Sequence, residues 1–296
     1  MLRYGLWQAG RLIASLIGAA LLAALLAVLS HHMHGFWPVL GAYSDSFVNM
    51  VRGNFGSSSV TGQTALRDVE SVLPATLQLV LAGLVIALVI GIPLGAFLSA
   101  SRMLRAAAPL MQIIAAAPVF CAALGLIWFA VHVLHWPAPE QSRALSWTSQ
   151  DAPGAWNVAF RIFAVPALTV GAAGAACIQL SLQRTAAKVS NAPYRAGLQM
   201  MGLRALEIDL RYVVPEFAAG LLRCLGDVVL ALLVAATVAE WVFDRDGAAV
   251  LFLKSVSSGD WNVVALILLI FAGLKFAADF LGQMAAILVM PPEDAA

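Results

Sequence analysis

The sequence predicts an all-α, polytopic membrane protein, and three observations predict it. Hydrophobic residues make up 61% of the 296-residue chain and charged residues only 11%, whereas a water-facing domain carries about 25% charged residues. So few charges cannot cover a surface exposed to water, and lipid must be the solvent for much of the chain. Six segments approach the roughly 20 apolar residues that cross a bilayer as a helix: Leu12–Leu29, Val72–Ala100, Ala106–Leu134, Phe160–Leu182, Phe217–Val238 and Val263–Met290. The basic residues between them alternate from side to side. A net charge of +1 gives no electrostatic footprint for nucleic acid.

The first segment follows Arg3 and Arg11 and ends in Ser30-His31-His32-Met33-His34 rather than a small-residue cleavage site, so it reads as an uncleaved first span. Residues 1–71 are then a first span with an external loop, 72–290 a five-helix core and 291–296 a short tail. Pro74 is read as opening the second span, where a missing N–H costs nothing. Pro93 falls inside that span, where it kinks a helix and frees a carbonyl. Gly and Ala recur through the spans, as suits helices that must approach closely in lipid.

If every span crosses, nine basic residues fall on one side: Arg3, Arg11, Arg102, Arg105, Arg184, Lys188, Arg195, Arg204 and Arg211. The other side holds Arg52, Arg67, Arg143, Arg245 and Lys254, with Arg161 at a span edge. Basic loops stay in the cytoplasm, which places both termini on the cytoplasmic side of the membrane. The external loops are His31–Ser71, His135–Ala159 and Ala239–Asn262.

Gln183–Glu216 is the long cytoplasmic excursion. Ser190 and Asn191 suit a helix N-cap and Pro193 a first turn, which predicts a short helix from Pro193 to Met201. Gly202 is placed to end it in a left-handed conformation. A second short helix follows, with Glu207 and Arg211 spaced i,i+4, and Pro215 marks entry to the next span. Apolar Leu198, Met200, Met201, Leu203 and Leu206 on such an excursion form either a knob for a partner's groove or a hairpin lying on headgroups.

Here the residues resemble a known family. Gly202 and Pro215, thirteen residues apart, are spaced as in the coupling motif of ABC importer permeases. Tyr194, Gly202 and Leu203 match the dipeptide/oligopeptide/nickel branch, and Arg211-Tyr212 stands where that branch has Arg-His. Leu198, Met200 and Met201 depart from it, and Arg195 is one place off the usual Arg. Gly53-Asn54-Phe55-Gly56-Ser57-Ser58 is similar to the signature before the second span. Pro74-Ala75-Thr76-Leu77, Gly91-Ile92-Pro93-Leu94-Gly95, Glu240-Trp241-Val242-Phe243 with Gly247, and Ser258-Gly259-Asp260-Trp261 follow in family order. Asp244-Arg245-Asp246 departs from it.

The resemblance implies a type I importer permease fold and ATPase-coupling roles for Tyr194, Arg195, Ala196, Gln199, Gly202, Leu203, Arg204, Glu207 and Arg211. It implies a second permease subunit, two cytoplasmic ATPase subunits or domains and an extracytoplasmic solute-binding protein. ATP and Mg would sit on the partners and no cofactor on this chain, which carries no Gly-x-x-x-x-Gly-Lys-Ser/Thr run. A secondary transporter or a membrane scaffold without an ATPase partner is the alternative.

Pro93, Arg223, Asp227 and Glu240 are the candidate pathway residues. Arg223 with Asp227, and Lys275 with Asp279, are spaced i,i+4, so each pair can neutralise locally or line the path. His31, His32 and His34 read as an interfacial cluster or a metal-capture patch. His132, His135 and Trp136 mark the end of the third span. Cys121, Cys177 and Cys224 lie in apolar runs and read as small packing residues.

Overall fold

The computed structural model describes residues 52–100, 119–136, 155–190, 197–198 and 200–290, with isolated helical positions before residue 50. Among these residues the regular structure is helical: α1 Ala65–Ala100, α2 Val119–His132, α3 Ala155–Ser190, α4 Ala205–Ile208, α5 Val214–Arg223, α6 Leu225–Val242, α7 Ala248–Ser258 and α8 Trp261–Val289. A single π-turn, Asp209–Val213, joins α4 to α5.

Four stretches are long and apolar enough to cross a membrane: Ala65–Leu98, Phe163–Val189, Leu225–Val242 and Trp261–Val289. These answer to the second, fourth, fifth and sixth expected spans. Of the first, only Ala14, Ile17, Gly18 and Leu21 are described, all helical. Of the third, the 14-residue α2 is described.

Helix α1 begins at Ala65, ahead of the expected Val72, because Ala65 and Val69 bury one face against Val263, Leu266 and Ile267 of α8. Pro74 therefore lies inside the helix with Pro93, and does not open it. Helix α3 likewise outruns its expected end. Leu182, Ala186 and Val189 continue its buried stripe at helical spacing, so the start of the expected cytoplasmic excursion is two more turns of α3.

The α1–α3 interface is built from small residues. A Cβ on Gly83 would lie 2.6 Å from Val170, and one on Gly91 3.0 Å from the Ala175 backbone. Without side chains there, the two backbones meet directly, and in lipid that van der Waals packing must replace the hydrophobic drive. Residue numbers rise together along the seam, Gly83 by Gly171 and Gly95 by Leu182, so the helices are parallel. In an alternating membrane protein that requires one crossing between them, the place α2 occupies.

Pairings fix the other directions. Gly220 meets Thr185 and Leu232 meets Gly174, so α5–α6 runs antiparallel to α3. Leu222 meets Gly282 and Gly226 meets Asp279, so α8 is antiparallel to α5–α6. One end of the bundle thus gathers the start of α1, the end of α6, α7 and the start of α8. The other gathers the ends of α1 and α3 with α4 and the π-turn. Leu79, Val170, Ile178, Leu232 and Leu233 form the core between them.

The π-turn has a local cause. Pro215 has no N–H, and its ring would press on the carbonyl four residues back, that of Arg211. Widening the preceding turn, with Val214 N–H donating to the Asp209 carbonyl, relieves that clash without ending the rod. The expected boundary at Pro215 is therefore a continuous passage from α4 into α5.

Candidate functional site

Three places carry the residues singled out in the sequence. The first is the excursion between α3 and α5. Tyr194, Arg195, Ala196 and Gln199 lie outside the described residues. Gly197, Leu198 and Met200 are helical, and Met201 N–H donates to the Gly197 carbonyl at 3.1 Å. Gly202 follows with φ +84°, the left-handed stop expected of it. Met200 and Met201 stand 88% and 79% exposed at this turn.

Leu203 is half-buried and Arg204 exposed. The Arg204 N–H donates to Glu207 Oε2 at 3.2 Å, the back-reaching half of a capping box at the start of α4. Glu207 and Arg211 do not form the expected i,i+4 pair: no ion pair joins them, since Glu207 is turned back to Arg204 and the π-turn shifts Arg211 out of α-helical register. Ile208, fully buried, anchors this short helix. Its place inside a charged stretch (Glu207, Asp209, Arg211) gave little sign of that role.

The second place is a break in the fifth span. Cys224 separates α5 from α6 with φ −93° and ψ 3°. Leu222, one turn before the α6 start, turns its carbonyl toward Gly282 of α8, where a Cβ would lie only 2.1 Å away. Arg223 and Asp227 flank the break and are both exposed. Being on separate helices, they do not make the expected pair, and among the described residues no ion pair joins them. Lys275 and Asp279 do pair, each about one-fifth exposed at 23% and 22%. Their bond lies on α8, with the Lys275 ammonium 5.1 Å from the Phe276 ring centre. Gly226 leaves the space for this pair: a Cβ there would fall 1.8 Å from Asp279 Oδ1.

The third place is the opposite end of the bundle. Glu240, 1% exposed, accepts from Thr76 Oγ1 at 2.6 Å and from the Ala249 and Val250 N–H groups at 3.0 and 3.1 Å. Thr76 Oγ1 in turn accepts from Ala248 N–H at 2.8 Å. The first N–H groups of a helix have no partners within it and carry partial positive charge, so one carboxylate and one hydroxyl together complete the start of α7. Gly247 is needed here for space, since a Cβ would lie 2.2 Å from the Glu240 carboxyl carbon.

The Arg245 guanidinium lies 5.3 Å over the Phe163 ring, and the Arg245 backbone N–H donates to the Glu240 backbone carbonyl at 2.8 Å. Burial pushes its guanidinium down from the ordinary value, and the nearby Glu240 charge opposes the shift.

Beside this cluster, Ser58 Oγ donates to Asp260 Oδ2, and Asn262 Nδ2 donates to the Ser57 carbonyl at 2.9 Å. The sequence presented Gly53–Ser58 and Ser258–Trp261 as separate motifs; the fold docks them on each other. Of the pathway candidates, Pro93, Arg223 and Asp227 are exposed, and Glu240 is enclosed within the chain. Among the described residues no three His, Cys, Asp or Glu side chains converge as a metal site would.

Among the described residues, a helical fold with four bilayer-length apolar helices packed around small-residue seams is that of a multi-pass membrane protein, and the chain is similar to permease proteins of transport systems. The chain is 24% identical over 266 residues to the putrescine export system permease protein SapB of Escherichia coli (strain K12), covering 81% of this chain and 82% of that protein. It matches the peptide transport system permease proteins SapB of Escherichia coli O157:H7 and Salmonella typhimurium (strain LT2) at the same identity and coverage. The resemblance to peptide-transport permeases read from the motifs is thereby borne out, and inner-membrane residence with it. No family model matches the chain.

Proposed function

We propose that this chain is the permease subunit of an ATP-driven importer, forming half of a translocation pathway for peptides or a related small solute. It pairs with a second permease, docks two separate ATPase subunits or domains through the excursion before α5, and receives solute from an extracytoplasmic binding protein. Support comes from the ordered motifs and from relatives that are permeases of named transport systems. One of those names specifies export, so direction is itself part of the test.

The observation that carries the reading is the exposed Met200–Met201 pair at the Gly202 turn. Fully burying a Met side chain is worth about 1.5–3 kcal/mol, so two of them left in the open are suited to a partner's groove. Two residues, Leu203 and Arg204, join their turn to α4, and α4 runs through the π-turn into α5 without interruption. A displacement of the knob is thus passed to the fifth span as a rigid shift, which is how differential contact with two motor states moves a gate.

The same end carries Arg184, Lys188, Arg204 and Arg211, which supports a cytoplasmic placement. Purification of the chain from native membranes tests the proposal. An ATPase should accompany it, and reconstituted vesicles should accumulate peptide on the ATP side. Purification of an intact assembly without any nucleotide-hydrolysing subunit would overturn it.

A further inference from the structure

Two independent pairings fix the level at which α5 begins. Gly220 meets Thr185 of α3, and Leu222 meets Gly282 of α8. The membrane-crossing stretches of those neighbours, 27 and 29 residues long, end at Val189 and Val289. At helix rise each is about 40 Å long, the thickness of a bilayer with its headgroup layers, so their ends mark headgroup level. Both neighbours run antiparallel to α5, so a step forward on them is a step back on α5. Val189, four residues beyond Thr185, falls level with Glu216, and Val289, seven beyond Gly282, falls level with Pro215. The π-turn Asp209–Val213 and Val214 therefore meet the surface of this leaflet.

At that level the chain presents a mixed surface. Leu210 and Val214, about one turn apart, are 62% and 53% exposed, and Tyr212 between them is exposed too. Arg211 is exposed, and among the described residues it has no carboxylate partner. Lys188 is exposed at the end of α3, and Leu288 at the end of α8. The acids nearby are already engaged. Glu207 is turned back to the Arg204 N–H, and Asp209 and Glu216 are half-buried with interactions of their own. The uncommitted charge at this level is positive and stands among apolar side chains.

We propose that Leu210–Val214 is a binding site for an anionic phospholipid of the same leaflet, with the lipid phosphate at Arg211 and the upper part of an acyl chain against Leu210 and Val214. Lys188 adds to the attraction. The guanidinium fork suits phosphate oxygens, and its long apolar stem lets the charge reach headgroups while the stem stays on the apolar surface. Interfacial segments that join basic and apolar residues hold anionic leaflets in this way. The assignment divides the excursion. Met200 and Met201 remain the knob, whereas Arg211 turns to the leaflet. Lipid held there grips the π-turn, the link between the knob and α5. The site goes beyond the permease reading: it needs this end of the bundle at a membrane surface, not a motor subunit.

The test uses the complex purified from native membranes and placed in phosphatidylcholine nanodiscs. Phosphatidylglycerol carrying a diazirine on its headgroup is added and irradiated, and cross-links are mapped by peptide mass spectrometry. They should fall on residues 208–216 and be competed by phosphatidylglycerol but not by phosphatidylcholine or inorganic phosphate. Arg211→Gln should lower their yield about fivefold, the order of one basic side chain's attraction to an anionic leaflet. Arg211→Lys should retain most of the yield, and Arg67→Gln, at the opposite end of the bundle, all of it. Absence of cross-links from this segment, as when a protein subunit covers it, overturns the proposal. So does equal competition by phosphatidylcholine, competition by inorganic phosphate, or an undiminished yield in Arg211→Gln. The cross-link does not need an ATPase, so absence of that subunit overturns the importer reading alone, while missing cross-links in a complex that contains it overturn the lipid site alone.

Discussion

Thr76 and Glu240 are 164 residues apart in the chain and joined by a 2.6 Å hydrogen bond inside it. The bond ties α1 to α6, and both side chains also hold the first N–H groups of α7. Two motifs that looked independent in the sequence are thus one buried polar cluster. Its members should be judged together, because a satisfied network stabilises and a half-satisfied one is costly.

Glu240→Ala should destabilise the protein more than Thr76→Val. The first leaves the Ala249 and Val250 N–H groups and the Thr76 hydroxyl without an acceptor; the second orphans one N–H. Each buried donor left unpaired costs about 1–3 kcal/mol. Thermal unfolding in detergent should show the double variant losing less than the sum of the two. Strict additivity would mean that the two side chains act independently.

Gly247→Ala should be destabilising although its backbone is extended and open to any residue, with φ −154°. The obstacle is steric: the new Cβ would sit 2.2 Å from the Glu240 carboxyl carbon. The combination Gly247→Ala with Glu240→Ala should recover part of the loss, since removing the carboxylate clears the space. No recovery would place the strain elsewhere.

Gly202→Val should impair coupling while leaving the spans intact. A β-branched residue in the left-handed region is strained by about 1–2 kcal/mol, whereas Gly202→Asn tolerates it better. The readout is transport per ATP hydrolysed in the reconstituted assembly, expected to fall for Val and to survive for Asn. Full coupled transport by the Val variant would count against a docking role for this turn.

Removing one member of the Lys275–Asp279 pair should cost more than removing both. Asp279→Ala leaves an ammonium uncompensated in a mostly covered site, and breaking buried pairs in this way costs about 3–5 kcal/mol, with less expected here because both groups retain some exposure. Lys275→Met with Asp279→Leu should be close to neutral. Gly226→Ala should resemble the single variants, as its Cβ would displace Asp279 Oδ1. Midpoints of thermal unfolding order the four proteins.

Much of this protein was legible in the sequence because bilayer length and hydropathy are local properties. The second, fourth, fifth and sixth spans could be placed from runs such as Val72–Ala100, and Gly202 as a left-handed stop from its position after an apolar helix. Helix ends were less legible. Ala65 and Val69 extend α1, and Ala186 and Val189 extend α3, only because a neighbouring helix covers them.

Spacing alone also promised pairs that the fold does not make. Glu207–Arg211 and Arg223–Asp227 both have i,i+4 separation, but a π-turn displaces one and a helix break divides the other. Lys275–Asp279 has the same spacing on an unbroken helix and does pair. The sequence by itself determined a helical membrane protein, its main spans and its permease kinship. Only the tertiary structure decided that Ser58 finds Asp260, that Thr76 and Glu240 seat α7, and that Arg223 and Asp227 face outward. Composition and periodicity report the solvent each segment needs; contacts across hundreds of residues depend on which helices pack, and that is a property of the assembled bundle.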